Sequence, residues 1–94
     1  MHFVVTCLDK EGALEVRTSN RDAHLAFLAE NNASIPVAGP LLNDDGGMIG
    51  SCLICEAESR EAIEAVLAND PYAKAGLFQS VDIKPWKWVV GAPK

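Results

Sequence analysis

The chain has 94 residues, with 8 basic and 13 acidic side chains and a formal net charge of −5 at neutral pH. That size suits one small domain over residues 1–94, and the charge offers no cluster of Lys and Arg for a phosphate backbone or a membrane surface. A hydrophobic content of 49% against 22% charged residues excludes a disordered chain. No apolar stretch is long enough to span a bilayer. No basic segment leading into an apolar one opens the chain as a secretion signal would, so the expected location is the cytoplasm.

Residues 3–8, Phe-Val-Val-Thr-Cys-Leu, form a β-branched apolar run and read as a first strand. Asp9 to Gly12 is a polar, turn-forming exit. Thr18, Ser19 and Asn20 are three consecutive N-cap candidates. They precede a helix over Arg21 to Asn32, in which His24, Phe27, Leu28 and Asn31 fall at i, i+3, i+4 and i+7. Asn31-Asn32 supplies a left-handed end to it. Residues 35–42 read as extended, because Pro36 and Pro40 push the residue before each out of the helical region. Asn43 to Gly47 is a hairpin turn signal, and Met48 to Ala57 is the third strand. Ser59 caps a second helix with the apolar stripe Ala62, Ile63, Val66 and Leu67, and Asp70-Pro71 stops it. Residues 77–84 form the fourth strand, which Lys84 to Val90 continues as a bent edge or tail.

The order β-α-β-β-α-β is the split βαβ of a ferredoxin-like α+β sandwich, a four-stranded antiparallel sheet with two helices on one face. Two helices cover only one face of such a sheet, and a half-covered sheet alternates apolar with polar residues. These strands do not alternate: Val4 and Leu8 oppose Phe3, Val5 and Cys7, and Cys52 and Ile54 oppose Leu53 and Cys55. The second face therefore wants a cover of its own, and the expected partner is a second copy packed through sheet faces or edges.

Cys7, Cys52 and Cys55 cannot all pair within one chain, and a disulfide-stapled secreted domain carries an even and larger number. Cys52 and Cys55 form a C-x-x-C, but on a strand positions i and i+3 point to opposite faces. No second Cys or His pair stands nearby to complete a tetrahedral site. Packed free thiols and no metal are the expectation. The chain also has no P-loop, dinucleotide fingerprint, H-E-x-x-H or nucleophile elbow, and no cofactor is expected.

His24 shares a helical stripe with Phe27 and Leu28, so its ring points toward the sheet. It is either a core histidine bonded to backbone or a general base, since imidazole titrates near neutrality. Asp70 continues the second helix's apolar stripe at a helix C-terminus, where the dipole disfavours a carboxylate by roughly 0.3–1 kcal/mol. It is either an ordinary Asp-Pro stop or the partner of a cationic or N–H group, and contact with His24 is geometrically open. Arg17 and Arg21 flank the start of the first helix, as solvated surface residues or as anion holders. Gly39-Pro40 permits close approach of a ligand to the backbone or kinks an edge strand. Ser51 offers a hydroxyl from the strand face or is simply tolerated there. Trp86 and Trp88 suit dimer or edge packing.

Taken together, Arg17, Arg21-Asp-Ala-His24-Leu25, Val37-Ala-Gly-Pro40, Gly50-Ser51, Asn69-Asp-Pro-Tyr72, Ala75-Gly76 and Val81-Asp-Ile-Lys-Pro-Trp86 resemble the YCII (YciI-like) family over nearly the whole length. The resemblance implies a dimeric α+β barrel of ferredoxin-like protomers. It places a His and an Asp facing a pocket on His24 and Asp70, and the residues expected to bind substrate beside them are Arg17, Arg21, Gly39, Pro40, Ser51 and Tyr72. The loop between Pro40 and Gly50 is shorter than in some relatives, which bears on pocket shape. The activity associated with the family is dehydrochlorination of a chlorinated hydroxyhydroquinone, and a related barrel family isomerises muconolactone. The reading is a cofactor-independent enzyme, a lyase or isomerase of aromatic degradation. In it, Asp70 orients His24 for proton transfer on a small hydroxylated ring, and Arg17 or Arg21 with the Gly39 backbone holds the oxyanion. The alternatives are a non-catalytic ligand-binding or regulatory module, and a structural dimer whose His24 is only packed.

Overall fold

Phe3, Val5 and Cys7 alternate along the first strand, which puts all three on one face of the extended chain. In the computed structural model, which describes residues 1–92, this strand is β1 (His2–Asp9) and the three side chains are buried. It is followed by α1 (Leu14–Ser19), α2 (Arg21–Glu30), β2 (Val37–Leu42), β3 (Met48–Glu56), α3 (Arg60–Leu67), α4 (Pro71–Lys74) and β4 (Phe78–Trp86). The four strands lie in the order β2-β3-β1-β4 with every neighbouring pair antiparallel. This is the expected ferredoxin-like α+β fold, with each crossover helix broken into two.

Cross-strand register aligns Phe3 with Cys55, Val5 with Leu53 and Cys7 with Ser51, so one sheet face is a continuous buried surface. Phe27 from α2 and Ile63 from α3 pack onto it, with Ile35 closing the core. Each fully buried large side chain contributes about 1.5–3 kcal/mol. At Gly50 a Cβ would collide with the Cys7 carbonyl oxygen, so this close approach of β3 to β1 requires glycine. The other face carries half-buried Val4, Cys52 and Ile54 beside exposed Leu8 and Val37. Cys52 and Cys55 thus sit on opposite faces of β3, as strand geometry requires.

Four local features differ from the sequence expectation. Thr18 and Asn20 do not cap the long helix by side chain. They bond backward, Thr18 Oγ1 to the Glu15 carbonyl at 3.2 Å and Asn20 Nδ2 to the Val16 carbonyl at 2.8 Å, and so close α1 instead. Asn20 then serves both helices as a bent junction without a side-chain cap. Asn31 ends α2 at φ −110° rather than in the left-handed region, its side chain reaching back to the Phe27 carbonyl at 2.9 Å. At the second crossover α3 ends at Leu67, and Asp70-Pro71 does not stop it but starts α4, with Asp70 as N-cap and Pro71 in the first turn. The dipole at Asp70 is therefore favourable to a carboxylate, the reverse of the expectation.

Ser59 does cap α3, accepting from the Ala62 N–H at 3.2 Å. The Asn43–Gly47 turn is held by Asn43 Oδ1, which accepts from the N–H groups of Asp45 and Gly47. β2 begins at Val37, two residues into the extended run. β4 runs on to Trp86 through Pro85, which an edge strand tolerates. Beyond it Trp88 packs against Trp86 and His2, with ring centroids 5.3 and 5.6 Å away. Among the described residues no helix is long and apolar enough to cross a membrane.

Candidate functional site

The break between α3 and α4 brings a carboxylate under α2. Asp70 Oδ1 accepts the Tyr72 N–H at 2.9 Å, the bond of an N-cap, and the same oxygen lies 2.8 Å from His24 Nδ1. An ionised N-cap carboxylate only accepts, so Nδ1 is the donor of this bond, and a neutral imidazole held this way has its lone pair on Nε2. Both side chains are almost fully buried. Tyr72 stacks on the imidazole at 3.9 Å between centroids and 14° between planes, fixing the ring's tilt as Asp70 fixes its rotation. Burial raises the Tyr72 phenol above its ordinary value, with Asp70 adding to the rise and Arg17 opposing it.

A second buried pair stands beside the first. Arg17, on the last turn of α1, is 3% exposed. Its Nε donates to Asp9 Oδ2 at 2.7 Å and its Nη2 to Asp9 Oδ1 at 2.9 Å, a two-pronged grip, and Nη2 also donates to Ser51 Oγ at 2.9 Å. Its guanidinium carbon lies 4.8 Å from the centre of the Tyr72 ring. Burial alone would lower the arginine's pKa, but the hydrogen bond and charge of Asp9 outweigh it and raise it. Sequence reasoning missed Asp9 by assigning it to a turn. The available signal was alternation, because Asp9 follows Phe3, Val5 and Cys7 at steps of two and so faces inward, where a carboxylate needs a partner.

These groups border a cavity of about 140 Å³ between α2, β2 and β3. Of the residues singled out from sequence, Arg17, Arg21, His24, Gly39, Pro40, Ser51 and Tyr72 all line it, and Asp70 stands behind His24. The rest of the wall includes Leu25, Leu28, Ala38, Met48 and Leu53. Arg21 lies one helical turn before His24, is exposed, and makes no ion pair among the described residues. Arg17 is not the solvated surface residue that was one of its two expected roles, since it is buried and paired with Asp9. The three thiols are free. Burial, with the charges of Asp70, Cys55 and Asp9, pushes Cys7 up to about 12. Burial, with Cys52, pushes Cys55 up to about 11.

The cavity wall is mostly apolar, with the His24 imidazole, the Ser51 hydroxyl and the Arg21 guanidinium as polar groups in its lining. The solved 5-chloro-2-hydroxyhydroquinone dehydrochlorinase TftG of Burkholderia phenoliruptrix AC1100, in complex with 2,5-dihydroxybenzoquinone, is 43% identical. Its TM-score is 0.84, covering 93% of this chain and 94% of that one. Protein YciI of Escherichia coli O6:H1 is 41% identical across 95% of this chain and 99% of its own length. An uncharacterized protein of Haemophilus influenzae is 34% identical over the same shares. The YCII-related domain model matches residues 1–87. The chain belongs to the YCII-related family.

Proposed function

From that membership and the pocket geometry, we propose that this chain is a cofactor-independent enzyme that moves a proton on a single hydroxylated aromatic or quinone-type ring. The observation that carries the reading is the buried His24–Asp70 hydrogen bond at the wall of a cavity of about 140 Å³. A cavity of about 150 Å³ accommodates benzene, so one six-membered ring is the size that fits. His24 Nε2 is the base, and Asp70 holds the tautomer and offsets the positive charge that forms. Arg21, free at the rim, faces the negative oxygen left behind. With a chlorinated hydroxyhydroquinone, one hydroxyl proton moves to the ring carbon that bears chlorine, a second leaves with chloride, and this net loss of HCl leaves a hydroxyquinone. No electron acceptor is consumed. The dehydrochlorinase at 43% identity supports the ring class.

Chloride release from 5-chloro-2-hydroxyhydroquinone under anaerobic conditions tests the proposal. Wild type should release chloride, and His24→Ala should be slower by about 10²–10⁴-fold, the usual worth of a positioned base. Saturable binding of 2,5-dihydroxybenzoquinone without chloride release would make the chain a ligand-binding module. Equal turnover by His24→Ala would remove the base.

The open sheet face supports a homodimer, because Val4, Leu8, Val37, Cys52 and Ile54 form an apolar surface with no cover among the described residues. Sedimentation should show a dimer at micromolar concentration, and a monomer there would refute it. Three free thiols suit the reducing cytoplasm.

A further inference from the structure

At the hairpin end of the cavity, β3 departs from its own alternation. Ser51, Leu53 and Cys55 are buried on the helix-covered face of that strand, and a period of two would add Ile49 to them. The ladder shifts by one residue instead. Leu41 pairs with Gly50 but Leu42 pairs with Met48, so Ile49 is the extra residue of a β-bulge. Ile49 is accordingly 41% exposed, and Met48 takes its place in the wall of the cavity of about 140 Å³. The turn beside it is pinned, with the Asn43 N–H donating to the Gly47 carbonyl at 2.8 Å and the Gly46 N–H to the Asn43 carbonyl at 3.0 Å.

The exchange alters what the wall can do. An isoleucine is stiff at χ1, whereas a methionine turns about several side-chain bonds and carries a polarisable sulfur. One unsubstituted ring fills a cavity of about 150 Å³, so a ring with one more heavy atom needs the wall to yield. His24 and Arg21 both come from α2, so in the single-ring reading the reacting oxygens face that helix and the far edge of the ring faces the strands. Of the other strand residues in the wall, Ser51 and Leu53 are buried at 3% and 2%, and Ala38, Gly39 and Pro40 have no flexible side chain to move. Met48 is half-buried and has solvent to turn into. We propose that Met48, aimed by the bulge, is a specificity-determining residue of the pocket, and that it admits rings carrying one compact apolar substituent, chlorine or methyl, on the edge away from α2. The inference rests on the single-ring reading above and deepens it.

The test compares, by calorimetry at neutral pH, the affinities of the folded full chain for 2,5-dihydroxybenzoquinone and for its 3-methyl and 3-chloro derivatives. The readout is the ratio of substituted to unsubstituted affinity, set against that of wild type so that the differing acidities of the probes cancel. Wild type should bind all three within about tenfold. Met48→Ala opens room that only a substituted ring fills, and the ratio should rise about tenfold, the lower worth of a methylene-sized group in an apolar pocket. Met48→Phe fills that room with a bulky, stiff side chain, and the ratio should fall by a similar factor. Ile49→Ala changes the neighbour on the outward side and should leave the ratio within about twofold. Melting curves check that each variant is folded, and should Met48→Phe not fold, Met48→Ala decides alone. Rejection of both substituted rings by wild type, a ratio unmoved by Met48→Ala, or one moved as far by Ile49→Ala would overturn the proposal alone. No wild-type binding of 2,5-dihydroxybenzoquinone at millimolar concentration would overturn the single-ring reading and this inference with it.

Discussion

Replacing Asp9 with Ala removes one side of a buried ion pair and leaves the other in place. Arg17 and Asp9 have side-chain exposures of 3% and 6%, so water cannot take over the lost interaction without opening the junction of α1 and β1. Stranding one member of a buried pair costs about 3–5 kcal/mol. The whole stability of a domain this size is about 5–15 kcal/mol. With a urea slope of about 1–3 kcal/mol per molar, the unfolding midpoint should fall by about 2 M. The double replacement Asp9→Leu, Arg17→Met removes both charges and should recover most of that loss, since well-packed apolar substitutes for buried pairs are often neutral or better. Urea denaturation followed by circular dichroism reads both. A loss under about 1 kcal/mol in Asp9→Ala, or a double variant no more stable than the single, would show that the pair is solvated and that Arg17 is free to move.

Asp70→Asn keeps a capping side chain at α4, because Asn caps as well as Asp, so the fold should survive while the charge is lost. Nitrogen-15 shifts of neutral His24 should report a proton on Nδ1 in wild type and a mixed population in Asp70→Ala, and identical spectra would mean that Asp70 does not set the tautomer. Alkaline pH should destabilise the protein through Cys7 and Cys55. Their unfolded thiols ionise near 9, whereas the folded ones stay neutral to about 12 and about 11. Their contribution is complete below pH 9 and shrinks as pH rises toward the folded values. By pH 10 each thiol should have lost about 1.4 kcal/mol, and a Cys7→Ala variant with the same pH slope as wild type would refute the assignment. Gly50→Ala should break the β1–β3 pairing beside Ser51, where its methyl meets the Cys7 carbonyl oxygen. A cost below about 1 kcal/mol by denaturation would mean that the strands separate easily.

The sheet was legible because its signals are local and periodic. Phe3, Val5 and Cys7 mark a buried face, Asn43 to Gly47 mark a turn, and Ser59 marks a helix start, each through contacts within a few residues. The meeting of His24 and Asp70 could be entertained from two helices on one sheet face, but not its form. The apparent stop at Asp70-Pro71 and the apparent caps at Thr18 to Asn20 read equally well in either direction along the chain. A proline that ends one helix also opens the next, and a polar side chain next to a helix end can bond forward or backward. Tertiary packing chose the direction. At Asp70 the choice made the carboxylate an N-cap that accepts the Tyr72 N–H, rather than an unpartnered group at a helix end. Arg17 is ambiguous for a different reason: whether an arginine lies on a surface or in a core depends on a carboxylate eight residues away, and in sequence that carboxylate falls at a polar, turn-forming strand exit.

Both buried carboxylates bear on one electrostatic problem. His24 and Arg17 lie against the same Tyr72 ring, the imidazole stacked on it at 3.9 Å and the guanidinium carbon 4.8 Å from its centre. In the proposed reaction His24 takes a proton, and a second positive charge then forms in the wall that already holds the arginine. At the effective dielectric of such a site, two unit charges repel by about 4 kcal/mol at 4 Å and by about 2 kcal/mol at twice that distance, which even then shifts a rate more than tenfold. Asp9 cancels the arginine's charge at 2.7 and 2.9 Å, and Asp70 meets the imidazolium at 2.8 Å. With both acids in place the proton arrives in a locally neutral frame. The arginine's remaining hydrogen bond goes to Ser51 Oγ at 2.9 Å.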